Sequence, residues 1–410
     1  MKYFIDFSIF SRNRNFTFLY IGQFVSFIGT MITGVALPYQ IYTETHSTLM
    51  VGLLSLAQLF PLLFTALLGG VFADRYHRRL LLLITESILA IGCLLLAFNA
   101  SLPFSYISII FVVAIGMSAI NGLHRPALDS IVQQIVPKKD LPVVSALATF
   151  KFSISMIVGP AIGGLFISHM GIVTTYLLDF VSFLISLIAL LMMWHIPKPI
   201  ANHDESTWVS IKQGFRYAFS RQELIGTYFV DFIAMVFGMP SALFPAIALA
   251  IGGPSVLGML YSALAVGALF VSFFSGLVSH VKYHGRAVAL AAMGWGIAII
   301  CFGLSSSLWW MLFFLALAGA CDAISGMFRM VMWNETIPNQ LRGRLSGIEM
   351  ISYLSGPKLG DTEAGLVASL FGVTISIISG GILCVIGVMI CSYCLPKFWQ
   401  YRSKIEDPSS

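Results

Sequence analysis

Two carboxylates interrupt an otherwise apolar run near the end of the chain, in Gly360-Asp361-Thr362-Glu363-Ala364-Gly365. A carboxyl withdrawn from water either meets a cation or takes up a proton at a pH closer to neutrality. Such a pair can therefore bind and release protons, or it can sit in an ion pair. Lys358 lies three residues before Asp361 on the same helical face and keeps the second possibility open. Asp231 and Asp322 also fall inside apolar runs, as do Asp179, Lys151 and Arg329. Ionisable groups at such positions are costly and mark either function or mutual neutralisation. Asp361, Glu363, Asp322 and Asp231 are thus the candidates for proton coupling, with Asp361 first among them. Gln23, Gln58 and Asn121, together with Lys151 and Arg329, are candidates for lining a substrate cavity. The uncharged ones can equally serve only to bond neighbouring helices. Glu86, Glu349, Arg125 and Asp129 fall near the basic ends of their segments and are expected to belong to a gate or to the basic loops.

Other chemistries lack their signatures. There is no GxxxxGK[ST] phosphate loop, no HExxH and no GxSxG nucleophile elbow. No His/Cys cluster has metal-site spacing, so neither a metal nor a cofactor is expected, and the chain is not expected to be an enzyme. The six cysteines lie in or beside apolar runs, where thiols act as small hydrophobes. Cys391 and Cys394 form a single CxxC, a weak metal or redox signal without a second pair.

The elements that must position these residues are membrane spans. Of 410 residues 58% are hydrophobic and 10% charged, and the mean hydropathy is +0.90, whereas soluble domains carry about 25% charged residues. Apolar stretches occupy about 16–42, 48–73, 80–99, 104–125, 146–168, 172–194, 224–250, 255–279, 287–304, 308–331, 346–370 and 372–395. That makes twelve, each near the ~20 residues that cross a bilayer. Alternate connections (Thr43–Ser47, Asn99–Pro103, Ser168–Gly171, Gly252–Ser255, Ser305–Ser307 and Phe371-Gly372) contain no Lys or Arg. Of the 23 basic residues, 20 sit on or beside the other connections and the ends of the chain. The positive-inside rule then places both termini in the cytoplasm. Net charge is +5, but its dispersal in short clusters reads as topology and gives no nucleic-acid surface. The first residues lack a cleavable-signal pattern.

A polar stretch at 196–223 divides the chain into 1–195 and 224–395, followed by a tail at 396–410. Trp208, Ile211, Phe215 and Ala218 recur within it at helical spacing, as in an amphipathic interfacial helix. An offset of 201 residues aligns 133–166 with 334–367, pairing Pro137 with Pro338, Ser145 with Ser346, Gly159 with Gly360, Gly164 with Gly365 and Leu165 with Leu366. The expected fold is an all-α membrane protein of twelve transmembrane helices in two parallel six-helix repeats. Such duplication is a transporter design. A non-transporting scaffold or sensor is the alternative from another class.

Gly69-Gly70-Val71-Phe72-Ala73-Asp74-Arg75-Tyr76-His77-Arg78-Arg79 resembles the major facilitator signature GxxxDRxGRR, with His77 in place of the second glycine. By that resemblance Gly70, Asp74, Arg75, Arg78 and Arg79 form a conformational latch on the cytoplasmic side, Asp74 meeting the start of the eleventh helix. Gly276 to Arg286 is a degraded copy without the acid. Gly159-Pro160-Ala161-Ile162-Gly163-Gly164 looks like the glycine-proline motif of the superfamily's drug and proton antiporters, carried by Gly159, Pro160, Gly163 and Gly164. With Thr45-His46-Ser47-Thr48, Val51-Gly52-Leu53, Arg342-Gly343-Arg344 and Gly360-Asp361, these segments make the whole chain similar to the enterobactin exporter group and related macrolide efflux proteins. The resemblance implies an exporter in a bacterial inner membrane, and a monomer is expected. It would move a small molecule, a siderophore first, from cytoplasm to periplasm against protons, in contact with membrane lipid. Multidrug or macrolide efflux stays open beside it.

Overall fold

The computed structural model describes residues 7–194, 216–274, 276, 281–338 and 342–403; the side chains at 70, 71, 73–75, 342–344 and 346–350 fall outside that description. Spans 1 to 4 are Arg14–Thr45, Thr48–Arg75, Arg78–Ser101 and Ile107–Ile135. Spans 5 and 6 form a continuous helical run, Leu141–Leu191, broken at Gly171 with φ 81°. Span 7 comprises Gln222–Gly238 and, after a break, Phe244–Ile251. Spans 8 to 12 are Pro254–Ser272, His284–Leu304, Leu308–Thr336, Arg342–Phe371 and Val373–Cys394. Among the described residues, ten helices are long and apolar enough to cross a membrane. The Gly171 break divides one of them in two, and span 11, long enough but carrying Lys358, Asp361 and Glu363, completes the twelve.

The tightest turns fall where basic residues are missing. Gly171, Gly253 and Gly372 each adopt positive φ, between 81° and 93°, a conformation costly for any residue with a Cβ. The start of span 1 is closed by a side chain. Asn13 accepts from Phe16 N at 3.0 Å to start span 1 and donates to the Ile135 carbonyl at the end of span 4, 2.8 Å away. Of the expected interfacial helix, Trp208, Ile211 and Phe215 lie outside the described residues; residues 216–220 are helical and bury Ala218 with Leu224 and Ile337.

The chain divides into two compact units. The first comprises Met1–His46, Ala57–His203 and Ala248–Ser262, and the second Ser47–Leu56, Asp204–Ile247 and Ala263–Ser410. In the first, Leu19, Leu82, Ile131 and Leu190 form a core, with Leu89, Cys93 and Phe183 further along the same helices. In the second, Phe398 of the short helix Pro396–Trp399 is fully buried against Gly226 and Gly285. Large apolar side chains cover the outside instead: Phe60, Phe98, Val112, Leu304, Trp309 and Leu370 are each more than 60% exposed, a surface suited to hydrocarbon.

Spans 8 and 10 cross at small residues in the second unit. A Cβ on Gly319 would strike the carbonyl of Leu264, and one on Gly267 the carbonyl of Ala316. Backbone cannot yield as a flexible side chain can, so Gly319→Leu should cost ~1–3 kcal/mol or more. The check is a thermal melt of the purified protein, in which Gly319→Leu unfolds at lower temperature than Gly116→Leu on span 4, where an added Cβ meets nothing within 4 Å.

Candidate functional site

The first unit carries a polar core where spans 1, 3, 4 and 6 meet. Glu86 is fully buried. Its Oε1 accepts from the Gln23 amide and, at 2.9 Å, from the Ser186 hydroxyl, while His124 Nε2 stands 4.0 Å away. A turn or two further along, Asp179 is fully buried too, accepting from Thr33 and Ser182 hydroxyls and from the Cys93 thiol at 3.3 Å. Glu86 therefore belongs to the interior of the unit, a correction to its expected place in a gate: about two turns of span 3 raise it past the loop, and span 6 closes over it. Arg125 and Asp129 are exposed on span 4 as expected for loop-proximal charges, and the Glu349 side chain lies outside the described residues.

Beside this core opens a cavity of about 570 Å³ lined from spans 1, 4 and 5. Gln23 and Lys151 both face it, with Asp129, Gln133, Lys138, Tyr20 and Ser145. The Lys151 ammonium also lies 6.0 Å from the Phe27 ring. Of the other cavity candidates, Gln58 and Asn121 are half-buried on spans 2 and 4 and do not line this cavity. Arg329 is elsewhere, in the second unit.

The glycine-proline motif is a packing surface. Gly159 faces Met31 and Gly163 faces Ile32 of span 1. A Cβ on Gly164 would come within 2.6 Å of the Pro254 carbonyl, and Gly258 in turn faces the Pro160 carbonyl, so the start of span 8 rests directly on the motif. Of the latch residues, Arg78 donates to the Ser130 carbonyl at 3.1 Å and to Gln134, and Arg79 donates to the Leu190 and Leu191 carbonyls at 2.8 and 2.7 Å. Arg79 caps the last turn of span 6, where free carbonyls attract cations, while Arg78 ties the start of span 3 to the side of span 4 near its end. The side chains of Gly70, Asp74 and Arg75 lie outside the described residues.

In the second unit, Pro240 interrupts span 7. Met239 before it is extended, and the Gly238 carbonyl left over is taken by Trp295 Nε1 at 3.1 Å. The helix restarts at Ser241, whose first amides have no partner within their own segment. Asp361 of span 11 supplies one: it accepts from Ala242 N at 3.0 Å, from the Ser241 hydroxyl, and from Ser55 at 2.8 Å. The field of Lys358 adds to these bonds. A short intramolecular cap, unforeseen from the sequence, thus joins the proton and ion-pair readings of Asp361. Glu363, two residues on, is half-buried. Asp231 and Asp322 both face Arg329, the first in a close ion pair and the second at 3.8 Å. This brings two coupling candidates and a cavity candidate into one cluster.

Twelve apolar helices in two compact units, charges paired in their interiors and a cavity walled by both apolar and charged side chains define a multi-pass membrane transporter of the major facilitator fold. The sequence pattern of the transmembrane secretion effectors matches residues 7–406, and the chain belongs to that family, which consists of transport proteins and not of enzymes. It is 28% identical over 391 residues to the enterobactin exporter EntS of Shigella boydii serotype 18 and to that of Escherichia coli O1:K1, covering 94% of this chain and 93% of theirs. Among solved structures it is similar to a POT family transporter in complex with 5-aminolevulinic acid, with TM-score 0.74, 13% identity and coverage of 94% and 97% of the two chains. It is also similar to an inward-facing, unoccupied bacterial homolog of the human lysosomal transporter Spinster, with TM-score 0.71, 16% identity and coverage of 95% and 98%. At these identities the structural likeness speaks for the fold. Transport implies a small-molecule substrate.

The Arg329 cluster yields a stability test. Removing one partner of a buried ion pair leaves the other uncompensated, at a cost of ~3–5 kcal/mol. Arg329→Met should sharply lower the yield and melting temperature of the purified protein, and adding Asp231→Asn should recover most of the loss.

Proposed function

We propose that this protein is a secondary active exporter that carries a small metabolite of the siderophore class from cytoplasm to periplasm, across a bacterial inner membrane, with protons moving the opposite way. The identity with the enterobactin exporters along 94% of the chain carries this reading. The basic connections favour cytoplasmic termini. In this reading the bundles 1–195 and 224–395, joined by the linker 196–223 and followed by the tail 396–410, alternate access as a monomer embedded in lipid. Gly70, Asp74 and Arg75 latch the cytoplasmic ends while Arg78 and Arg79 hold spans 4 and 6 in place.

The cavity of the first unit suits an oxygen-rich, anionic ligand: Lys138 and Lys151 supply cations, and Gln23, Gln133 and Ser145 supply amide and hydroxyl partners. Asp361 is the coupling group. Its bonds to Ala242 N, Ser241 and Ser55 are charge-assisted while it is ionised and weaken once it carries a proton, so protonation loosens the restart of span 7. Asp231, Asp322 and Glu363 are secondary coupling candidates. Macrolide-type efflux is the second reading, favoured by the antiporter-like motif from Gly159 to Gly164.

Inverted membrane vesicles test both. On energisation, vesicles containing the wild-type chain should accumulate enterobactin, and a protonophore should discharge it. Asp361→Asn, inserted at the same level, keeps a hydrogen-bond acceptor yet cannot carry the proton. Its energised accumulation should fall roughly tenfold or more, as loss of a coupling free energy of ~1–3 kcal/mol implies. Accumulation undiminished in Asp361→Asn would remove the coupling role, and accumulation of a macrolide but not of enterobactin would move the substrate to the drug class.

A further inference from the structure

The heavy atoms of the Glu86 cluster restrict where its protons can sit. The Gln23 amide nitrogen donates to Glu86 Oε1 and lies 3.3 Å from Ser186 Oγ, so the Gln23 oxygen faces His124 Nε2 at 3.2 Å. An amide oxygen only accepts, so Nε2 must carry hydrogen. The other ring nitrogen, Nδ1, stands 3.0 Å from the Thr85 hydroxyl, whose single hydrogen can reach the Leu81 carbonyl at 2.9 Å. With that hydrogen on Leu81, Nδ1 must donate as well, and His124 is an imidazolium facing a Glu86 carboxylate. With the hydroxyl turned toward Nδ1, the imidazole is neutral, and the proton it gives up can pass to Glu86 or leave the cluster. The second carboxyl oxygen, Glu86 Oε2, is buried with no hydrogen-bond partner among the described residues, so only one oxygen of the carboxyl is satisfied in its charged form.

The charged surroundings come from few elements. Span 5 contributes Lys151, whose field reaches both Glu86 and His124. Span 4 adds Arg125, next to His124, and Asp129 little more than a turn on, each acting on Lys151. Span 1 presents Gln23, which is uncharged, and span 6 presents Ser186, with Asp179 about two turns away. Gln23 also lines the cavity. It thus touches the proton cluster and the open space at once.

We infer that Glu86 and His124 hold one exchangeable proton inside the first unit, and that Gln23 couples the departure of this proton to occupation of the adjoining cavity. The coupling rests on the reading of that cavity as a substrate site. A ligand group that takes the Gln23 amide removes a donor from Glu86 and an acceptor from His124, and by linkage the cluster's proton affinity then changes the ligand's. The site is separate from Asp361, which lies in the other unit.

Infrared difference spectra of the purified full-length protein in detergent, recorded between acidic and alkaline buffer, test this without any transported ligand. The wild-type chain should show a titrating step in its carboxyl and imidazole bands that is lost in Glu86→Gln, an isostere that keeps the acceptor for Gln23 and Ser186, and retained in Asp361→Asn. Gln23→Leu should keep a step but displace its midpoint. Should Glu86→Gln fail to fold, His124→Gln reads the same cluster, and the wild-type step should then be displaced or lost. Spectra of Glu86→Gln or of a folded His124→Gln that titrate as the wild type does would overturn the proton site. An unmoved midpoint in Gln23→Leu would overturn the link to the cavity. Failure here leaves vesicle transport untouched, whereas an absence of transport with the titrating step intact would count against the exporter reading alone.

Discussion

Inside a bilayer no water is available to satisfy a polar atom, so each buried N–H, C=O and carboxylate of this chain must find its partner within the protein. The rest of the structure follows from that constraint. Helices are the default because they close their own backbone bonds, and wherever a helix is interrupted another residue has to make good the loss. Span 7 shows this most plainly. Pro240 breaks it, Trp295 takes the carbonyl on one side of the break, and Asp361 takes the amide on the other. A residue whose type alone suggested proton chemistry is also the cap of a broken helix, and these two properties belong together: a carboxylate binds an exposed amide more strongly while it is charged.

The same constraint gathers the remaining ionisable groups. Arg329 draws Asp231 and Asp322 together, and Glu86, His124 and Asp179 lie among hydroxyls and amides supplied by spans 1, 3, 4 and 6. Removing any of these polar neighbours leaves a charge stranded in a medium that cannot solvate it. Small residues serve the complementary purpose. The motif from Gly159 to Gly164 lets span 1 and the start of span 8 approach to backbone distance, and Gly319 with Gly267 does so for spans 10 and 8. Close approach of this kind replaces the hydrophobic drive that helices lack in lipid.

The basic residues show a division of labour that a motif does not reveal. Arg78 and Arg79 belong to the signature resembling the major facilitator latch, yet within their own unit Arg78 bonds Ser130 and Gln134 of span 4 and Arg79 closes the carbonyl end of span 6. A cation in that position is favoured by the helix dipole whatever the state of a gate. In the tail, Phe398 packs against two glycines, and Tyr401 and Ser403 bond Glu335 at the end of span 10 at 2.8 and 2.6 Å. The last described residues are therefore part of the second unit's packing.

The sequence by itself determined the number of spans, the class of fold and the turns at Gly171, Gly253 and Gly372, because hydrophobic length and glycine placement act locally and leave their record in consecutive residues. It also singled out Asp361, Arg329 and Gln23, since a polar group in an apolar run is conspicuous wherever it points. What only the tertiary structure decided is who meets whom. Glu86 looked like a loop-end charge because its distance from Arg78 and Arg79 along the chain is short, but span 6 arrives from a hundred residues away to bury it. The Asp361 cap needed span 7 to break and Ser55 to lie alongside, and the pairing of Arg329 with Asp231 needed two helices nearly a hundred residues apart in sequence to cross. Helical period fixes the face on which a side chain stands; the partner across that face is set by how the helices pack, and packing is a property of the whole bundle.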